Sequence, residues 1–172
     1  MLRDKGVIEF VEAARRLKKL YPKINFQLLG PLDVKNRTAI SSTQMNKWVE
    51  EGVIEYLGKT DDVSNFIEDS SCVVLPSYRE GTSRVLLEAA AIGRPIITSD
   101  VTGCREVVDD GINGFLCQAK DSNDLAEKLQ KMILLPYESR VKMGLMGRKK
   151  MEDEFDQSIV CKIYQDAIAD LT

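Results

Sequence analysis

Residues 76–108, PSYREGTSRVLLEAAAIGRPIITSDVTGCREVV, decide the fold. Just before them stands the apolar run Cys72-Val73-Val74-Leu75, which has the length and composition of a buried strand and stops at Pro76. A polar loop follows from Ser77 to Ser83, carrying Glu80 and Gly81. From Arg84 the residues are strong helix formers, VLLEAAAIG, closed by Gly93 and then by Pro95, the order expected at a helix C-terminus. The pattern predicts strand, loop and helix, with Thr82 or Ser83 as the helix N-cap.

That order has a chemical consequence. The first backbone N–H groups of such a helix, Ser83 to Leu86, lack partners within it and carry the positive end of its dipole. They make an anion site at the carboxyl end of a strand, where open α/β sheets bind ligands. Gly81 lets the backbone approach a ligand closely, while Glu80 in the loop and Glu88 one turn into the helix bracket the site. Phosphates need donors and sugar hydroxyls need acceptors; the segment offers both. Taken alone, Glu88 reads as one more solvated helix glutamate.

The agreement of many positions at fixed spacing changes that weighting. Glu80 and Glu88, inside P-S-x-x-E-G-x-x-x-V-x-L-E-A-x-A-x-G-x-P, resemble the E-x7-E signature of retaining, family-4-type glycosyltransferases of the GT-B fold. The wording is similar to transferases that build bacterial capsular, exopolysaccharide or lipid-linked glycans. The resemblance implies that Glu88 holds the nucleotide ribose and that Glu80 meets the donor sugar or the departing charge. It places the backbone of Gly81, Thr82, Ser83, Arg84 and Val85 against the sugar and distal phosphate. The family often has phenylalanine and glycine after E-G; Thr82 and Ser83 stand here instead, which leaves the donor sugar open.

Upstream, Val7, Phe10, Val11, Ala14 and Leu17 follow helical spacing and predict an amphipathic helix from Lys5 to about Leu20. A doubly wound unit opens on a strand before its first helix. The preface LRDKG resembles the R-L-x-x-x-K-G element that opens the donor domain of these transferases. That implies a phosphate-binding role for Lys5, with the first strand, a partner arginine and the whole N-terminal domain lying before Met1. Read alone, Lys5 is a surface lysine. Between helix and core motif, Ile24–Leu29 and Val53–Leu57 read as strands, and residues 39–50 as a helix burying Trp48 and Val49. The resemblance puts the loop after the second strand against the nucleobase, through Lys59 and Thr60; Asp61 reads as the N-cap of a helix over 63–68.

Downstream, Pro95–Thr98 predicts another buried strand, Gly103–Val108 a loop and short helix, and Gly114–Cys117 a last strand. Arg105 and Glu106 could line the cleft, but a local ion pair is the favoured reading. Asp121 or Ser122 caps a helix through Leu134, which Pro136 breaks, and residues 137–172 form C-terminal helices beginning with one over 138–151. Phe155, Ile159, Ile163, Ala167 and Leu171 make a helical stripe that packs on a partner domain, stays exposed, or pairs in a dimer.

Composition sets outer bounds. The chain has 172 residues, 44% hydrophobic and 30% charged, as a soluble domain with its own core does. A net charge of −3 carries no nucleic-acid footprint. With no histidine among the 172 residues, a zinc site or a Ser-His or Cys-His nucleophile has no support. The four cysteines lack C-x-x-C spacing and read as reduced thiols of a cytoplasmic protein, with a peripheral place at the inner membrane face left open. The paired acids Asp109-Asp110 and Glu152-Asp153-Glu154 read as solvated turns.

The expectation is therefore an α/β chain, a Rossmann-like doubly wound parallel sheet with helices on both faces, forming one half of a GT-B fold. By resemblance it binds a UDP- or GDP-sugar, without a metal or other cofactor, for transfer of a hexose or N-acetylhexosamine to a glycan or lipid-linked acceptor with retention. The acceptor site would come from the N-terminal domain, leaving this half inactive alone. A nucleotide-sugar epimerase or hydrolase on a related scaffold, and a non-catalytic nucleotide-binding module, are the competing readings.

Overall fold

The computed structural model describes residues 1–169. Its first helix, α1 (Val7–Leu20), buries Val7, Phe10, Val11, Ala14 and Leu17, the apolar stripe read from the sequence. It begins two residues later than expected. Residues Arg3–Lys5 form a separate 3-10 turn, and Gly6 follows with φ 72°, a left-handed conformation that breaks the helix from the turn. Gly6 also touches the core motif: a Cβ there would lie 2.1 Å from the Pro76 carbonyl oxygen.

Strands β1 (Gln27–Leu28) and β2 (Glu55–Tyr56) pair in parallel as a two-stranded sheet. Strands β3 (Val73–Leu75), β4 (Ile96–Ser99) and β5 (Gly114–Cys117) form a three-stranded parallel sheet in that order. The expected single sheet is thus two sheets, and β1 and β2 are shorter than the apolar runs that announce them. Leu28 bonds toward β2 through Leu57, so Gln27 turns its backbone groups the other way. Val73 bonds toward β4 through Pro95, so Val74 likewise turns outward. Between these two open edges runs a groove of about 980 Å³, lined by Leu28, Leu29, Val74 and Leu75, with Val7 and Phe10 from α1.

Helices cover both faces of the larger sheet. Ile97 and Phe115 join the core made with α1 and α5 (Ser122–Leu134). Their neighbour Ile96 joins the core of α4 (Arg84–Ile92), Cys104, Val107 and Met151, the last from α6 (Tyr137–Glu154). Successive residues of one strand thus feed opposite cores, as the pleat requires. Helix α5 is capped by Asp121, which accepts from the Asn123 and Asp124 amides at 2.8 and 3.0 Å. Tyr21 at the end of α1 accepts a hydrogen bond from Gln130 of α5, 109 residues further on.

Several expectations are corrected. Helix α2 (Ser42–Glu50) is capped by Ser41 and buries Met45 and Trp48, but Val49 is 41% exposed, at the edge of that face and one residue past Trp48. Helix α3 (Ser64–Asp69) starts one residue later than predicted. Its N-cap position is Val63 and not Asp61, and the carboxylate that meets its first amide is that of Asp62, which accepts from Ser64 at 2.9 Å. Residues 102–107 form turns, with Gly103 at φ 84°, and the expected short helix before Val108 does not form. Asp109 pairs with Lys150 at 2.6 Å, and Glu152, Asp153 and Glu154 lie on α6, each beside the basic residue one turn back. Of the predicted C-terminal stripe, Phe155 packs on the core and α7 (Gln157–Ala169) follows. The side chains of Ile163 and Ala167, and Leu171 altogether, lie outside what is described. All four cysteines are free. Among the described residues no helix is long and apolar enough to cross a membrane.

Candidate functional site

The site forms where the carboxyl ends of β3 and β4 face the start of α4. Ser83 is the N-cap residue, as predicted, but its hydroxyl makes no capping bond. Its amide donates to the Gly103 carbonyl at 3.4 Å, and the Leu86 amide closes a tight first turn on the Ser83 carbonyl at 3.1 Å. The expected row of free amides from Ser83 to Leu86 therefore reduces to Arg84 and Val85, which find no protein acceptor among the described residues. The volume that a Cβ would take at Gly81 is empty, so a ligand has room against that backbone.

Glu80 and Lys5, 75 residues apart, meet in front of this helix end. Lys5 Nζ donates to Glu80 Oε1 at 2.5 Å, and the buried Ser77 hydroxyl donates to the same oxygen at 2.8 Å. The Glu80 side chain is 12% exposed and that of Lys5 42%, so the pair sits at the rim, half shielded from water. The Tyr78 amide donates to the Asp4 carbonyl at 2.9 Å, and the Tyr78 hydroxyl donates to Glu9 Oε1 at 2.5 Å. Burial first, then the Glu9 bond and the acidic neighbours, push the phenol up to about 12, so it remains a donor at neutral pH. Together with Gly6 on Pro76, these contacts clamp the turn of Lys5 onto the loop of Glu80.

The groove between the sheets opens into the site and is lined there by Lys5, Thr60, Glu80, Ser83 and Val85. Gly81, Thr82, Arg84 and Glu88 stand on the exposed side of the same helix end, outside that lining. Glu88 is 40% exposed and lies 3.9 Å from Arg84. Lys59 is exposed, and the Thr60 hydroxyl is engaged in its own turn, donating to the Asp62 carbonyl at 2.8 Å. Arg105 and Glu106 do not pair with each other. Arg105 binds Asp100 at 3.1 Å, and Glu106 accepts from the Gly103 amide at 2.7 Å. Among the described residues no group of three or more acids and cysteines could hold a metal ion.

Sequence reading missed Gly6, Tyr78 and Gly103 as parts of the site. Ser77, inside the quoted motif, carried a local signal, whereas these three act through contacts distant in sequence.

The family model for glycosyl transferases group 1 matches residues 1–150. The chain is 33% identical over 161 residues to N,N'-diacetylbacillosaminyl-diphospho-undecaprenol alpha-1,3-N-acetylgalactosaminyltransferase of Campylobacter jejuni, covering 93% of this chain and 40% of that protein. It thus spans well under half the length of this curated relative. Among solved structures it is similar to Anabaena HepE in complex with UDP (TM-score 0.82, 21% identity), over 96% of this chain and 45% of that one. It is also similar to the C-terminal domain of the group 1 glycosyl transferase LpcC of Francisella tularensis. There the TM-score is 0.76 and the identity 25%, over 91% of this chain and 83% of that one.

Proposed function

The chain belongs to the group 1 glycosyl transferases, and on that premise we propose that it holds the nucleotide-sugar donor of a glycosyl transfer at the N-terminus of α4. The observation that carries the reading is the meeting of Lys5 and Glu80 in front of the open Arg84 and Val85 amides. A diphosphate arriving there meets one ammonium and two amides, fixed before it binds. Those groups stabilise the charge that grows on a leaving nucleoside diphosphate electrostatically, with no covalent step from the protein. Glu80, whose oxygens face the same space, takes the sugar hydroxyls or the charge developing at the anomeric carbon. Glu88, on the exposed side one turn along, takes the ribose hydroxyls, and the loop of Lys59 and Thr60 borders the base.

The donor is a UDP- or GDP-sugar, and the reaction moves a hexose or N-acetylhexosamine to a glycan or lipid-linked acceptor with retention. Support for UDP comes from the ligand held by HepE, and support for a lipid-linked acceptor from the name of the Campylobacter relative. The acceptor site belongs to a further domain of the longer protein. Calorimetric titration with UDP, GDP and their sugars tests the reading. We expect one nucleotide to bind, and Glu88→Ala and Lys5→Ala each to weaken it at least tenfold, the loss of one hydrogen bond to a charged group. Binding that survives both substitutions would overturn it.

The open edges of β1 and β3 complete the proposal. Gln27 and Val74 present unpaired backbone groups across one apolar groove. A parallel strand seated there would join two sheets into one. We assign that place to the strand expected to lead into the LRDKG turn. In a longer form of the protein the Gln27 and Val74 amides should exchange slowly; fast exchange there would refute the assignment.

A further inference from the structure

The loop that carries Glu80 rests on a second turn, and the fit between them is unusually close. Gly103, at φ 84°, has no room for a side chain: a Cβ would lie 2.0 Å from the Gly81 carbonyl oxygen and 2.6 Å from that of Glu80. Its carbonyl accepts the Ser83 amide at 3.4 Å, while its own amide donates to Glu106 Oε2 at 2.7 Å. The turn is rooted on both sides. Cys104 and Val107 are fully buried, and Arg105 bonds the Asp100 carbonyl at 2.9 Å and its carboxylate at 3.1 Å. Glu106 itself is exposed and takes no part in the core.

We infer that Gly103 and Glu106 are positioning residues for the sugar end of the donor site. The inference rests on the donor-site reading above. Glu106 fixes the Gly103 amide and so aims the Gly103 carbonyl at Ser83. That bond, with the backbone contact at Gly81, holds the segment from Glu80 to Ser83 as a rigid shelf. The Glu80 carboxylate and the Arg84 and Val85 amides keep their common direction only while the shelf is held. Nucleoside binding, which the proposal places at Glu88 and the loop of Lys59, does not depend on it. Loosening the brace should therefore weaken the grip on the sugar and distal phosphate while sparing the nucleoside.

Glu106→Ala and Glu106→Gln, each titrated with UMP and with UDP-glucose, test this, with amide hydrogen exchange read on the same proteins. Glu106→Ala should weaken UDP-glucose three- to tenfold, the range of an ordinary net hydrogen bond, and UMP, which lacks the distal phosphate, less than twofold. Exchange should quicken at the Ser83 and Gly103 amides, whose bonds the brace holds, with the melting temperature unchanged. Glu106→Gln keeps a carbonyl in place and should restore most of the UDP-glucose affinity. An equal loss of both ligands, or exchange and affinity like the wild type in Glu106→Ala, would overturn the inference. If the wild type bound neither ligand, the donor-site reading would fall, and the exchange measurement would still decide whether Glu106 holds the shelf. Should Glu106→Ala not fold, Glu106→Met takes its place, a side chain of similar length with no oxygen acceptor: quickened exchange confined to the shelf supports the brace, and unaltered exchange refutes it.

Discussion

Gly6→Ala is the sharpest test of how the Lys5 turn is seated. Two costs arise there and can be separated. The first is conformational: an alanine at φ 72° gives up roughly 1–2 kcal/mol to its left-handed backbone. The second is steric. A Cβ at this position lies 2.1 Å from the Pro76 oxygen and 2.7 Å from its carbonyl carbon, both backbone atoms, so the turn must lift off the loop. Forced shifts of this kind cost about 1–3 kcal/mol. Gly52 supplies the control, since its φ is 68° with nothing within 4 Å of an added Cβ. Gly52→Ala therefore carries only the first cost, and Gly6→Ala should exceed it by about 1–3 kcal/mol. Urea unfolding of the three proteins reads the difference from the midpoints, provided the slope is unchanged. If the two variants were equally destabilised, the close seating of Gly6 on Pro76 would be wrong, and with it the account of what aligns Lys5 with Glu80.

Further expectations are simpler. Asp121→Ala removes both cap bonds of α5 and should cost about 1 kcal/mol by the same unfolding assay, whereas Ser83→Ala, whose hydroxyl caps nothing, should cost less. Burial pushes the Cys117 thiol up to about 11 and raises that of Cys104, so a thiol reagent at neutral pH should label the exposed Cys161 quickly and these two only on unfolding. Tyr78, raised to about 12, contributes stability that is whole below the ordinary tyrosine value near 10 and is lost as pH rises through 12. Tyr78→Phe should flatten that alkaline decline, and an unchanged decline would show that the phenol is not buried against Glu9.

The sequence was most informative where local chemistry decides. Strand, loop and helix around Glu80 follow from an apolar run, a proline stop and a glycine that closes α4 at φ 86°. It was least informative where a single backbone angle or a distant partner decides. Nothing in LRDKGVIEF announces that Gly6 turns left-handed and detaches Lys5 from α1; the Pro76 carbonyl that requires it lies 70 positions away. The loop and short helix read at 103–108 is a run of turns instead, and the Gly103 conformation within it is set by the distant Gly81 carbonyl. Strands β1 and β2 shrink because pairing, not apolarity, defines a strand, and one edge of β1 has no partner. The site's residue types were legible in the motif. The clamp and shelf that orient them were not, because they join segments distant in sequence.

The pairing of α1 with α5 bears on how the chain is made. Tyr21 waits for Gln130, 109 residues downstream, and the core that buries Val11 and Leu17 closes with Leu125 and Leu129 of α5. At a ribosomal pace of about 5–20 residues per second, some 5 to 20 seconds separate the two helices at the tunnel exit. Through that interval α1 has Phe26, Ile40, Met45, Trp48 and Ile54 to pack with, but the part of its stripe that meets α5 stays uncovered. Helix α1 is thus fully buried only once α5 has emerged, and it is a natural place for a chaperone to hold the nascent chain.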